Sequence, residues 1–342
     1  MAHTKLTIKE IAKMADVSPA SVSFALNGRA GVSEATKEKI MSVIKEVDYY
    51  PSMASKRLVL QKSFNIAFIY PAEMSPFTDL FYYEVANGLT EELTRSQYNV
   101  VFAPLMDEGG ADETPNIIKR RDADGAIFLH GAPKPLLEKF DKTRIPYVLV
   151  DWQPEGNEHT NISLDCERSI YSAVMYLAGK GHTKIAFLGS DRLPFYYLRC
   201  FTGYQNALFD AQLPIYPGWI HNSVHDVASA VKSLEKLISS QAPPTAVCCM
   251  SDMCAVESLQ AAAELGIRVP DQLSFISIDD ILLSRHIRPQ LTTISYEKNG
   301  IGKTAARLLL KMINGESVES VVIQSETVIE RQTVADRRIT GV

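Results

Sequence analysis

From residue 64 onward the chain switches between short apolar runs and longer amphipathic stretches, and no other feature constrains its fold as tightly. Apolar runs at 65–70, 98–103, 125–130 and 147–150 read as strands, and 184–188, 246–250 and 273–278 continue the series. Helical periodicity fills the gaps, for example over 84–95, 167–179, 201–211, 252–265 and 300–313. Such alternation is the mark of α/β layers, with parallel sheets flanked by helices. The strand–helix order runs twice with a seam near 160, which predicts two lobes facing each other across a cleft.

The first sixty residues carry a different signal. Thr7-Ile8-Lys9-Glu10 has the form of a capping box, after which Ile8, Ile11, Ala12 and Ala15 fall on one helical face. Asp16 and Val17 make a turn, Ser18 is placed to cap a second helix, and Pro19 opens it where a missing N–H costs nothing. That helix runs through Val22 and Leu26 to Asn27-Gly28. Ser33 caps a third, carrying Ile40, Ile44 and Val47. Two short helices joined by a tight turn and buttressed by a third predict a helix-turn-helix head. Ser18, Ser21, Ser23 and Asn27 are short donors suited to phosphate, with Thr7 counted beside them. Short polar residues at helix ends are also plain caps, and Ser18 fits both roles.

Charge separates the two parts. The net charge is −5, yet residues 1–62 hold ten Lys/Arg against six Asp/Glu, while the rest hold 25 basic and 34 acidic residues. A basic head on an acidic body suits a polyanion at the head, although a solvated charged surface would look the same. At 46% hydrophobic and 22% charged the composition is that of a globular protein. No stretch approaches the roughly 18–20 apolar residues of a membrane span. The start, MAHTKLTIKEIAK, lacks the apolar region of a secretory signal. Five cysteines (Cys166, Cys200, Cys248, Cys249 and Cys254) form no C-x-x-C pair and suggest neither a disulfide framework nor a zinc cage. A cytoplasmic, nucleoid-associated protein without metal or cofactor is expected.

The segment TIKEIAKMADVSPASVSFALNG, followed by VSEATKEKI and YYPS, resembles the head of the lactose/galactose-repressor (LacI/GalR) family. The likeness implies that Pro19, Ala20 and Phe24 lie where family members read bases. Phe24 departs from the polar or basic residue common there, and can touch a thymine methyl but not bond a guanine edge. Residues 51–58, PSMASKRL, are similar to the family's hinge helix, whose leucine wedges into the minor groove. That implies DNA contacts from Ser52, Ser55, Lys56 and Leu58. Read without the family, the same stretch is a polar linker with a basic patch.

The resemblance extends over the body through DGAIFLH, YVLVDW, GHTKIAFLGS, GYQNAL, PTAVCCMSDMCAVESLQAAAELGIRVPDQLSFISIDD and PQLTTISYEKNGIGKTAARLLL. It implies two Rossmann-like lobes of periplasmic-binding-protein type behind the all-α head. The implied division is a helix-turn-helix domain over 1–50, a hinge over 51–62, and an effector-binding and dimerisation domain over 63–342. Lobe 1 would comprise about 63–160 plus 292–320, and lobe 2 about 161–291 plus 321–342.

Ligands of open α/β sheets sit beyond the carboxyl ends of strands. Asp151 and Asp279 end such strands, and carboxylates accept from sugar or nucleoside hydroxyls. The family likeness adds Phe81 and Tyr82 as a ring-stacking pair, with His130, Trp152, His221, Ser251 and Asp252 near cleft positions. Each has a plainer reading, since a strand-end Asp often caps the next helix and an aromatic pair is usually core. Three departures bear on the ligand. The family's arginine before Gly203-Tyr204 is Cys200, with Arg199 one step, about 100°, around the helix. Ser251 stands for the usual Asn beside Asp252, and Ser277 for a glycine. A thiol cannot replace a bidentate guanidinium grip.

Enzyme motifs fail on inspection. LTTISY followed by EKNGIGKT approaches a P-loop, but Glu297 stands where glycine is needed and would repel phosphate. His221 and His225 share an i, i+4 spacing, which without a third ligand reads as a helix surface. No catalytic constellation is visible. The expectation is therefore a non-enzymatic homodimeric regulator, a repressor on a pseudo-palindromic operator, governed by a sugar-like effector in the cleft. With no C-terminal heptad repeat the dimer is preferred over a tetramer. The alternatives are a solute- or phosphate-binding protein with a helical head, and a regulator of the same type governed by a protein partner.

Overall fold

The computed structural model describes residues 6–26, 30–49, 57, 60–105, 114–152, 159–192 and 194–338. The chain divides into two units, Met1–Phe64 and Asn65–Val342. In the first, α1 (Ile8–Met14), α2 (Pro19–Leu26) and α3 (Glu34–Glu46) surround a small core of Ile11, Ala12, Ala15, Val22, Ala25, Ile40 and Tyr49. The capping box forms: the Glu10 N–H donates to Thr7 Oγ1 at 3.4 Å and the Thr7 N–H donates to Glu10 Oε2 at 2.6 Å. Asp16, at φ 51°, makes the turn between α1 and α2 in the left-handed region that Asp tolerates. Ser33 caps α3 by accepting from the Thr36 N–H at 3.3 Å.

The second unit holds two six-stranded sheets. Its first sheet uses β1 (Asn65–Pro71), β2 (Asn99–Leu105), β3 (Gly125–Leu129), β4 (Tyr147–Val150), β5 (Asn161–Leu164) and β11 (Val321–Ile323). Their order is β11-β5-β4-β3-β1-β2, parallel at every pairing. The second sheet uses β6 (Ile185–Leu188), β7 (Ile220–His221), β8 (Ala246–Cys249), β9 (Ser274–Asp279), β10 (Thr292–Ser295) and β12 (Val328–Ile329). Its order is β12-β10-β9-β8-β6-β7, with only the β10–β12 pair antiparallel. Helices α4 (Leu80–Arg95), α5 (Asn116–Lys119) and α6 (Lys134–Thr143) follow strands of the first sheet. Helices α7 (Cys166–Gly179), α8 (Pro194–Asp210), α9 (Val227–Ile238) and α10 (Asp252–Glu264) accompany the second, and α11 (Lys298–Ile313) returns to pack on α4, β3 and β4. The α/β architecture with parallel-dominated sheets and a helical head is thus as the sequence indicates.

The division between lobes differs from the expectation in three places. Strand β5 pairs with β4, so the first sheet extends to Leu164, past the seam near 160. The chain changes sheets again not at 292 but after Ser295, because β10 pairs with β9 of the second sheet. Only α11 onward belongs with the first lobe. Residues 321–323 also stay there, against the expectation that the chain has returned by 321, since β11 pairs with β5. The physical reason is local: Thr292 and Thr293 are fully buried between neighbouring strands, and Thr292–Ser295 continues the hydrogen-bonded ladder of Ile276–Asp279.

Three segments therefore cross between sheets, at Asp165, at Tyr296–Glu297 and between Ile323 and Val328. Hydrogen bonds tie them together. Ser169 Oγ lies 2.6 Å from Tyr296 OH and donates to the Ser325 carbonyl at 2.7 Å. Gln324 Nε2 donates to Asp165 Oδ2 at 3.3 Å, and Arg168 Nε to Glu326 Oε1 at 2.6 Å. Among the described residues no helix is long and apolar enough to cross a membrane.

Candidate functional site

The head places its sequence-predicted residues around the start of α2. Ser18, Pro19 and Ala20 are exposed there, while Ser21, Ser23 and Phe24 are half-buried. Ser18 Oγ accepts from the Ser21 N–H at 3.1 Å and lies 2.9 Å from Ser21 Oγ, so both hydroxyls take part in the cap. Thr7 is spent on the α1 capping box. Phe24 lies against Gly31, whose φ of +120° favours a residue with no side chain. Asn27, Ser52, Ser55, Lys56 and Leu58 lie outside the described residues, as does most of the expected hinge.

In the second unit a cavity of about 920 Å³ opens beyond the carboxyl ends of the strands, lined from both sheets. Its first-lobe wall is Phe81, Tyr82, His130, Asp151 and Trp152. Asp79 caps α4, accepting from the Phe81 and Tyr82 N–H groups at 2.9 and 3.0 Å, and so fixes that helix start at the wall. Tyr82 OH donates to Asp151 Oδ2, and the Tyr82 and His130 rings meet edge to face at 4.6 Å. His130 Nδ1 is 3.9 Å from the same carboxylate. Burial, then the neighbouring Asp151 charge, raises the Tyr82 phenol well above its ordinary value, so it remains a donor. Burial also lowers His130, favouring the neutral ring.

The strand ends aim these side chains by an unusual backbone. His130 (φ 56°), Asp151 (φ 54°), Asp279 (φ 127°) and Asp280 (φ 52°) all have positive φ, directly after β3, β4 or at the end of β9. Such conformations carry a cost for residues with a Cβ, and they cluster at ligand sites. His and Asp tolerate them better than most side chains.

The second-lobe wall is only partly what the sequence indicates. Asp279 lines the cavity, and its Oδ2 accepts from the Asp252 N–H at 3.2 Å. Burial and then the Asp252 charge push its carboxyl well above the ordinary range. Ser251 is on the wall and caps α10 through the Cys254 N–H at 3.3 Å. Arg199 is there too, held by Asp165 Oδ1 at 3.4 Å and the Leu164 carbonyl at 3.5 Å.

Three expected ligand residues are placed elsewhere. Asp252 is fully buried behind the wall, where it accepts from Ser277 Oγ (2.5 Å), Thr293 Oγ1 (2.6 Å), Ser284 Oγ and the Ile281 N–H (2.9 Å). It organises the β9 end without facing the cavity, and Ser277, which stands for a glycine, is one of its donors. Cys200 is buried in the core, hydrogen-bonded with Cys166, and burial raises its thiol. His221 ends β7 and turns to the Gly218 carbonyl at 3.3 Å. The i, i+4 histidine pair is accordingly not a helix surface, since His225 sits in the connection before α9.

His225 is the residue the sequence reading underused. It lines the cavity with Ser190, whose Oγ lies 2.7 Å from His225 Nδ1, while Asp191 Oδ1 lies 3.1 Å from Nε2. Arg192, Tyr196 and Glu257 complete that side. The strand-end rule could have pointed to Ser190, which closely follows β6; nothing in the spacing pointed to Glu257, in the second turn of α10.

Comparison with known proteins was consistent across the chain. Residues 7–52 match the family model described as bacterial regulatory proteins, lacI family, and residues 174–334 match a periplasmic binding protein-like domain. The HTH-type transcriptional repressor PurR of Vibrio parahaemolyticus is 32% identical over 338 residues, covering 96% of this chain and 98% of that protein. Catabolite control protein A of Priestia megaterium is 29% identical over 324 residues, 93% and 96% of the two chains. Among solved structures, the lac repressor dimer bound to operator and the anti-inducer ONPF superposes with a TM-score of 0.80 at 20% identity, covering 97% of this chain and all of that one. A LacI-family regulator from Enterococcus faecium with bound ribose gives 0.69 at 23% identity, covering 80% and 99%.

Proposed function

The chain belongs to the LacI family of bacterial regulatory proteins, and from that premise we propose that it is a transcriptional repressor acting as a homodimer on a pseudo-palindromic operator, with its DNA affinity set by a small molecule in the cavity between the two sheets. Its relatives include HTH-type transcriptional repressors and a ribose operon repressor. The observation that carries the reading is the pairing, in one chain, of a capped helix-turn-helix with exposed residues at the start of α2 and a two-sheet cavity whose walls meet at three crossover segments. The first supplies contact with duplex DNA, with Thr7, Ser18, Pro19, Ala20, Ser21, Ser23, Phe24, Asn27, Ser52, Ser55, Lys56 and Leu58 as its candidates. The second supplies a bistable element, because a ligand touching both walls favours one angle between the sheets. Phe81, Tyr82, His130, Asp151, Trp152, Arg199, Ser251 and Asp279 are the effector contacts in this reading, and Ser190, His225 and Glu257 join them.

The test is retention of fragmented genomic DNA by the purified full-length chain at moderate salt, followed by sequencing. Recovery of a pseudo-palindrome with two half-sites is the expected result, and it excludes a solute-binding protein with an incidental helical head. Diffuse retention without a shared motif overturns sequence-specific repression. Control by a protein partner is the second reading, favoured by burial of Cys200 where the family carries its ligand-gripping arginine.

A further inference from the structure

The cavity wall leaves large apolar side chains in the open. Trp152, Phe195 and Met253 stay 37%, 54% and 42% exposed, and all three line this one cavity. Trp152 follows β4 on the first-lobe wall, and its ring lies against Gly131, where an added Cβ would collide with it. Phe195 stands in the first turn of α8 and Met253 in that of α10, so the second lobe supplies the other two. Met74 after β1, and Met250 and Ile281 after β8 and β9, continue the apolar surface. Exposed apolar side chains scattered singly need no explanation, but a cluster that faces one enclosed volume from two sides marks a ligand surface. Thioethers adapt to irregular apolar shapes, which suits a surface shared by two lobes.

The polar groups of the same wall largely answer one another. Tyr82 OH donates to Asp151, and Asp79 accepts from two backbone N–H groups. Tyr196 OH donates to the Met250 carbonyl at 3.2 Å, and Ser190 and His225 are paired with each other and with Asp191. Arg199 is held by Asp165 and the Leu164 carbonyl, so its guanidinium is engaged before any ligand arrives. Burial pushes the Asp279 and Glu257 carboxyls above their ordinary range, which reduces the charge they present. A ligand rich in hydroxyls gives up its hydrogen bonds to water here and finds most partners taken, and each unmet group costs free energy. A ligand made mainly of carbon loses no such bonds and covers the open apolar surface.

Resting on the reading of this cavity as the effector site, we infer that the effector is an aromatic compound of low polarity, gripped by apolar side chains of both lobes, and that polyhydroxylated and anionic molecules are poor ligands. At about 920 Å³ the cavity lies within the range of roughly 300–1,000 Å³ that holds drug-sized molecules. The experiment uses the full-length chain and N-phenyl-1-naphthylamine, an uncharged probe that fluoresces in apolar surroundings. Displacement of the probe ranks 2-naphthol and coumarin against 2-naphthoate, adenine, ribose and glucose, and isothermal titration gives each Kd. Retention of operator DNA is then read with and without the best competitor.

The expected result is that 2-naphthol and coumarin bind at least about tenfold tighter than 2-naphthoate, adenine or either sugar. Phe195→Gln and Met253→Gln, at exposed positions, are each expected to weaken the probe about fivefold to tenfold while leaving the Tm of the free protein near that of the parent. Preferential binding of ribose, glucose, adenine or 2-naphthoate overturns the inference and leaves the effector site standing. Probe binding that neither substitution weakens lies outside the cavity and overturns the inference as well. Binding that both substitutions weaken, with operator retention unchanged, upholds the ligand class and overturns the regulatory reading of the cavity. Silence from the probe and from every competitor overturns both.

Discussion

His182 shows how one residue reports on the join between the end of the chain and the second sheet. It is fully buried, with Nδ1 3.0 Å from Thr245 Oγ1 and Nε2 3.1 Å from the Ala335 carbonyl. The carbonyl can only accept, so Nε2 carries the proton and Nδ1 accepts from the threonine. Burial lowers the imidazole from 6.5 to about 4. A depressed value means the folded state binds fewer protons than the unfolded one, so the stability it confers is full above pH 6.5 and drains as pH falls toward 4. The loss is at most about 3 kcal/mol. We expect His182→Gln to flatten the acid limb of stability across that window, read by urea titration from pH 4 to 7. Parallel curves for the parent and the variant would remove His182 as a determinant. The candidate-site residues were unevenly legible for related reasons. Asp151 and Asp279 could be read as strand-end carboxylates, but Asp252 could not be told from a ligand, since only folding reveals that its lone pairs are already taken by Ser277, Ser284, Thr293 and Ile281.

Among the elements, the contact of α4 with α11 depends on two glycines that sequence periodicity alone treats as flaws. A Cβ at Gly88 would collide with the Asn299 carbonyl, and one at Gly302 with the Val85 carbonyl and the Leu89 nitrogen. The two backbones therefore approach as closely as they do because neither position carries a side chain. Helix propensity alone says that Gly→Ala stabilises by up to about 1 kcal/mol. At Gly302 the sign reverses, and we expect Gly302→Ala to destabilise by about 1–3 kcal/mol. Gly179, at the end of α7 with nothing within 4 Å of an added Cβ, is the control, and Gly179→Ala is expected to be neutral or stabilising. Equal effects of the two substitutions in thermal unfolding would refute the close-packing account. Element type was otherwise the most legible level, because β1, β3 and β4 read as continuous apolar runs. Strand β5, Asn-Ile-Ser-Leu, escaped because half its residues are polar, and the Asn161 N–H donates to Ser320 Oγ at 3.1 Å, a distant partner that periodicity does not reveal. The placement of β10 escaped for a different reason, since pairing partners are long-range choices that no local pattern encodes.

At the scale of the whole molecule, the charge asymmetry and the proposed function make one demand together. A head with a local charge of +4 on a body of −9 can hold a polyanion only through the head, and the body resists any nonspecific approach of the backbone to its surface. Each phosphate neutralised releases condensed counterions, so the logarithm of the binding constant falls with the logarithm of salt at about 0.9 per contact. Two heads on one operator double the number of contacts that one head supplies. We expect a plot for the full-length chain on its selected operator to be linear and steep, losing about 10³–10⁵ in affinity between 50 and 200 mM salt if six to ten phosphates are held. Substituting one head lysine that faces phosphate should lower the slope by about one per head, hence about two for the dimer. Reversing an acidic residue on the body far from the cavity should leave the slope alone. The measurement separates two architectures that share every residue: a slope that responds to body charges and not to head lysines would mean that nucleic acid meets the wrong face of the molecule, and the helix-turn-helix would then be a structural ornament on a ligand-binding protein.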